Sequence, residues 1–205
     1  MAYNVFSLAQ VKRTFGLQLH EQTNVFGAIA PLPISELLQT ILAENIPLAL
    51  AIHTEKARSE LIIMPILVEL RRLMNREISL FSGIEFNVDP LQGLNGVCDF
   101  VVAGSPEQLI LTAPLLMLVE AKNDNIKAGL GQCMAEMIAA QLFNERENIP
   151  ISTLYGVVTT GSIWKFLKLA GTIMTVDQPE YYLEQIDTIM GILASIVRPY
   201  ISQQQ

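Results

Sequence analysis

The sequence predicts an α/β fold in which a mixed sheet is flanked by helices. Three observations carry this. Stretches with helical composition alternate with short β-branched runs along the 205 residues. The apolar run Leu115–Val119 is continuous, as expected of a strand covered on both faces. Hydrophobic residues make up 51% of the chain and charged ones 16%, enough apolar surface for one domain with a sizeable core.

Taken in order, Ser7 followed by Gln10 reads as a capping box for a short helix reaching about His20. Turn residues surround Gly27 and Pro31–Pro33, and Ser35 then caps a helix over Glu36–Glu44. A third helix is predicted from Thr54 to about Arg76, kinked or restarted at Pro65, which has no N–H to donate. Ile78–Val88 looks extended, 89–96 is rich in turn residues, and Val97–Ala103 is a short strand with an exit turn at Gly104–Pro106. After strand Leu115–Val119 come a helix over Gly129–Phe143, a strand over Thr153–Thr160, a turn at Gly161–Ser162 and a hairpin partner at Trp164–Leu169. A last helix is predicted over Pro179–Ile201, with Pro179 in its first turn. Residues 1–50 thus read as a helical extension packed on the core, 54–170 as the α/β core and 177–203 as a C-terminal helix, all within one structural domain.

Composition excludes several functions. No apolar run approaches the length of a membrane span, and the N-terminus lacks the features of a secretory leader, so the expected compartment is the cytoplasm. Cys98 and Cys133 are too few for a disulfide framework and read as small buried side chains. His20 and His53 have no partner motif, and Gly129-Leu130-Gly131 lacks the Lys-Ser/Thr of a phosphate-binding loop. The net charge of −7 argues against sequence-independent clamping of nucleic acid by a positive field. The most basic stretch holds Lys56, Arg58, Arg71, Arg72 and Arg76. It reads first as a solvated helix end, with a phosphate-contacting patch as the alternative.

One constellation carries chemistry. Strand Leu115–Val119 runs into Glu120-Ala121-Lys122, and the two-residue period of a strand points Glu120 and Lys122 to one face. Asp99 lies in strand Val97–Ala103, where a core strand would have an apolar residue. If the two strands are neighbours, the carboxylates converge. At about 4 Å they would repel by roughly 4 kcal/mol at an effective dielectric near 20. A proton, a cation or the Lys122 ammonium must offset that. Mg²⁺ takes one or two carboxylates and fills its other positions with waters and phosphate. Two acids and an ammonium at a strand end therefore suit metal-assisted phosphodiester hydrolysis.

With Asp99, Glu120-Ala121-Lys122 and this element order, the sequence resembles the PD-(D/E)XK, or restriction-endonuclease-like, nuclease superfamily, nearest to the N-terminal nuclease-like domains of type I restriction subunits and small bacterial relatives. The likeness spans roughly Thr54–Leu169. It implies a three-layer sandwich, Asp99, Glu120 and Glu60 as ligands to Mg²⁺ with Mn²⁺ as a substitute, and Lys122 assisting the attacking water. Gln132 stands where many relatives have a helical glutamine, and Gly161-Ser162-Ile163-Trp164-Lys165-Phe166 resembles the group's late hairpin. Cys98 departs from the proline of the family's name.

The implied substrate is nucleic acid, DNA first, bound weakly by the isolated chain. More ordinary roles exist for each residue: an ion pair at the strand end for Glu120 and Lys122, a turn cap for Asp99, pairing with Lys56 for Glu60, and a solvent-facing stripe for Gln132 and Glu136. The rival function is a non-catalytic module of the same fold. It would dimerise or recruit a protein through the seam Tyr182, Ile186, Ile189, Leu193 and Ile196 of the last helix.

Overall fold

The computed structural model describes residues 2–201. An eight-stranded mixed sheet lies between two helical layers. The main path runs β1-β7-β6-β5-β4-β3-β2, and β8 pairs off the path with β6. The strands are β1 (Gln18–Thr23), β2 (Ser79–Glu85), β3 (Val97–Ala103), β4 (Leu115–Ala121), β5 (Leu154–Thr159), β6 (Ile163–Ala170), β7 (Ile173–Asp177) and β8 (Tyr181–Tyr182). Strands β2, β3 and β4 form an antiparallel meander. Strand β5 lies parallel to β4, so the chain must cross over between them, and α5 (Ile126–Arg146) makes that crossing. Strands β1 and β7 make the second parallel pair.

Each face of the sheet has its own core. On one side α5 and α1 (Leu8–Thr14) cover Val101, Leu118, Val158 and Leu167. On the other, α2 (Glu36–Ile52), α4 (Met64–Leu73) and α6 (Ile186–Ile201) cover Phe100, Val119, Trp164 and Phe166. Trp164 and Phe166 are fully buried, as strand alternation required. Both cysteines are free and buried. Among the described residues no helix is long and apolar enough to cross a membrane.

The predicted caps at Ser7 and Ser35 form, and Thr54, where the third helix was expected to begin, caps the helix at Glu55. Pro65 acts one turn earlier than a simple kink. After α3 (Glu55–Arg58) the helix widens into a π segment, Ser59–Ile63, and α4 then restarts with the proline in its first turn. The Leu61 carbonyl, which a residue-65 N–H would have met, instead accepts from Asn45 Nδ2 at 2.9 Å.

Three elements differ from expectation. The first helix stops at Thr14, Gly16 turns the chain at φ +63°, and the stretch expected to continue helical is β1. Five of its six residues are exposed, so an edge strand without an apolar face gave no alternation to read. Residues 1–50 are therefore no purely helical extension, because they supply a strand to the central sheet. Strand β7 was missed although Ala170 pairs with Ile173 across a two-residue turn with Gly171 at φ +59°, a hairpin signal. The last helix begins at Ile186 rather than Pro179, because Tyr181 and Tyr182 add to the sheet beside Trp164 and Ile163. Its expected end at residue 203, like the Gln203–Gln205 tail, lies outside the described residues. Of the seam Tyr182, Ile186, Ile189, Leu193 and Ile196, the last three are buried in the chain's own core, Ile186 is half-buried and Tyr182 is exposed.

Candidate functional site

Antiparallel register between β3 and β4, with Phe100 opposite Val119, brings Asp99 to the end of β4. Asp99 Oδ2 accepts a hydrogen bond from the Ala121 backbone N–H at 2.8 Å, in place of a ladder bond. Glu120 is 1% exposed. Its Oε1 accepts from Lys122 Nζ, which confirms that the two side chains share a face. Its Oε2 is buried and has no hydrogen-bond partner among the described residues.

Lys122 is fixed at both ends. Its backbone N–H donates to the Thr159 carbonyl at 2.8 Å, just beyond β4. Its stem lies against Gly129, where an added Cβ would stand 3.1 Å from Lys122 Cγ and 2.6 Å from Val158 Cγ1. That glycine, expected only as part of a helix start, is what lets α5 approach the lysine. Gln132 Oε1 lies 3.5 Å from Lys122 Nζ, and Gln132 Nε2 donates to Glu136 Oε1 at 3.1 Å. Glu136 is fully buried, not part of a solvent-facing stripe, and its Oε2 also lacks a partner. The available signal was an acid set among Met134, Ala135, Met137 and Ile138 on one helix.

Glu60 stands apart. It lies on the π segment, largely exposed, and pairs with Lys56 Nζ at 2.9 Å. It shares with Asp99 a cleft of about 240 Å³ lined also by Glu55, Ser59, Ser82 and Gly83. Among the described residues no three His, Cys, Asp or Glu side chains form a ligand set, so Glu60, Asp99 and Glu120 are not gathered around one point. The α3 acid whose charge acts on Glu120 and Lys122 is Glu55, which no motif singled out.

Crowding of acids in a water-poor space sets the electrostatics. Burial, and then the nearby charge of Asp99, push the Glu120 carboxyl up to about 8, with Lys122 acting in the opposite direction. Burial and then Glu120 hold Glu136 well above the carboxylate range. Burial alone would lower Lys122, but the charge and hydrogen bond of Glu120 outweigh it and raise the ammonium.

The Lys122 ammonium is thus paired with Glu120 alone, and the buried Oε2 atoms of Glu120 and Glu136 have no hydrogen-bond partner among the described residues. The donor set suits Mg²⁺. Among the described residues Glu120 Oε2 has no hydrogen-bond partner and Asp99 is held through Oδ2, and hard oxygen ligands in a pair are what this ion takes from a protein. No family model matches the chain, and no curated protein or solved structure matches it.

Proposed function

We propose that this chain is a metal-dependent nuclease of restriction-endonuclease-like fold that hydrolyses phosphodiester bonds in cytoplasmic DNA. The observation that carries the reading is the unpartnered, buried Glu120 Oε2 beside Asp99, with the Lys122 ammonium tied to the same carboxylate. The β2–β3–β4 meander followed by a crossover to parallel β5 supports it, because that order is the one the resemblance implies.

Asp99 and Glu120 would hold Mg²⁺, or Mn²⁺ in its stead, with Glu60 and Glu55 at the cleft rim contributing charge. The ion when bound polarises the scissile phosphate and lowers the pKa of a water. The chain's own residues do the rest. Ala121 N–H fixes the Asp99 carboxylate, and Glu120 Oε1 aims the Lys122 ammonium. Gln132, backed by Glu136, limits the lysine from the α5 side. Lys122 then orients the attacking water and steadies charge developing on the phosphate oxygens.

The test incubates purified protein with plasmid DNA in Mg²⁺, beside Asp99→Ala and Lys122→Ala. Cleavage by the parent and its loss in both variants is the expected result. Equal activity in all three proteins overturns the reading.

A further inference from the structure

Strand β2 is an edge of the sheet, and the candidate site opens beside its middle, at Ser82 and Gly83. Towards its start, α4 and the edge enclose a second cleft of about 400 Å³, lined by Met64, Val68, Arg71, Arg72, Arg76, Leu80 and Gln108. Three guanidinium groups line it and no carboxylate does. The adjacent acid, Glu69, is buried and already taken: its Oε1 accepts from Arg72 Nη2 at 2.7 Å and its Oε2 from Arg72 Nε at 2.9 Å. Arg71 Nε donates to the Ile78 carbonyl at 3.1 Å, which anchors that side chain at the cleft. The exposed Arg76 side chain has no partner among the described residues, and it leaves the helix from a left-handed residue, φ +64°.

In a protein of net charge −7, such a cleft is the local exception, and what it complements is an anion. The edge itself disfavours an added peptide strand at this point. Gln108 Nε2 donates to the Leu80 carbonyl at 2.7 Å and Gln108 Oε1 accepts from Leu80 N–H at 3.2 Å, so the side chain occupies the groups a visiting strand would use. Leu80 and Gly83 are three residues apart on one strand. At about 3.4 Å per residue the two clefts are roughly 10 Å apart, about three phosphates along one strand of duplex DNA.

We infer that the Arg71–Arg72–Arg76 cleft holds the backbone phosphates of the DNA strand whose scissile bond lies at Asp99 and Glu120, so that the β2 edge is the substrate track. This rests on the nuclease reading for its direction but is tested separately from it. Arginine suits the role because its planar fork meets phosphate oxygens in pairs. An acidic protein then binds a polyanion through one basic cleft rather than through an overall field.

The test measures anisotropy of a fluorescein-labelled 20-base-pair DNA duplex against protein, with Ca²⁺ replacing Mg²⁺, over a series of salt concentrations. The proteins are the parent, Arg76→Asn, Arg71→Gln/Arg76→Asn and Lys12→Gln. Asparagine tolerates the left-handed backbone, and the Arg76 side chain has no hydrogen bond or ion pair to lose among the described residues, so the single variant should keep the fold. It should bind about fivefold more weakly, with a salt slope shallower by about one. The double variant should bind more weakly still, while Lys12→Gln, an exposed lysine of α1 on the opposite face of the sheet, binds within twofold of the parent. Parent-like affinity and slope in Arg76→Asn and the double variant, or no binding by the parent, overturns the inference. Binding that depends on the arginines in a parent that cuts nothing in Mg²⁺ upholds the track and refutes the nuclease.

Discussion

Asp177 and Glu120 are both buried carboxylates at strand ends, and their surroundings differ in kind. Asp177, fully buried at the end of β7, accepts from Val25 N–H at 2.6 Å and from the Tyr181 hydroxyl at 3.0 Å. Both oxygens are engaged, and together they tie the segment after β1 to the strand before α6. Glu120, at the end of β4, has one oxygen on Lys122 and the other on nothing. Burial raises both carboxyls above their usual range, but neutral donors compensate Asp177, whereas the neighbour of Glu120 is another acid. A satisfied buried carboxylate is a fold element. One left unsatisfied beside a like charge costs stability unless a proton or a cation satisfies it.

This contrast predicts opposite consequences for the two residues. The largest effect is on activity: Glu120→Gln should lower plasmid cleavage by at least about a hundredfold, as removal of a charge that serves the transition state does, whereas Asp177→Asn should leave cleavage per folded molecule unchanged. Next in size is stability. Asp177→Ala leaves two donors unpaired and should cost about 2–4 kcal/mol in urea denaturation. Glu120→Gln removes a buried charge and should stabilise the metal-free protein by about 1 kcal/mol at pH 8. If Glu120→Gln destabilised the metal-free chain as much as Asp177→Ala, the distinction would be broken.

pH sharpens the same comparison. The Glu120 carboxyl is raised from its ordinary 4.5 to about 8, so its protonated form is the one folding favours. Its contribution is complete below about pH 4.5 and is lost as pH rises towards 8. Metal-free melting temperature should therefore fall across that window, and the fall should be shallower in Glu120→Gln when followed by circular dichroism. The smallest expected effect is at Glu60, where an exposed pair with Lys56 is worth less than about 0.5 kcal/mol. Glu60→Ala should leave the melting temperature within 1 °C, and a larger fall would show that this acid belongs to the buried cluster.

The sandwich and the chemistry at β3 and β4 were legible because they rest on period. Two-residue alternation joins Glu120 to Lys122, and a polar residue interrupting an apolar strand marks Asp99. Strand β1 and the start of α6 were not legible, since an exposed edge strand has no buried face and Pro179 serves a helix start or a strand lead-in equally well. Glu60 falls on the π segment and is exposed, paired with Lys56, while Glu55, one turn earlier, is the helix acid whose charge acts on Glu120. Glu136 was read as solvent-facing by its spacing from Gln132, although the apolar residues around it place that face of α5 against the sheet.

The account depends on Asp99 and Glu120 together binding a divalent cation. Melting temperature at pH 8, with and without Mn²⁺, measured for the parent, Asp99→Asn and Glu120→Gln, tests this directly. A Mn²⁺-dependent rise in the parent that disappears in both variants, each still folded, is the predicted result. No rise in the parent, or an equal rise in all three proteins, would contradict it.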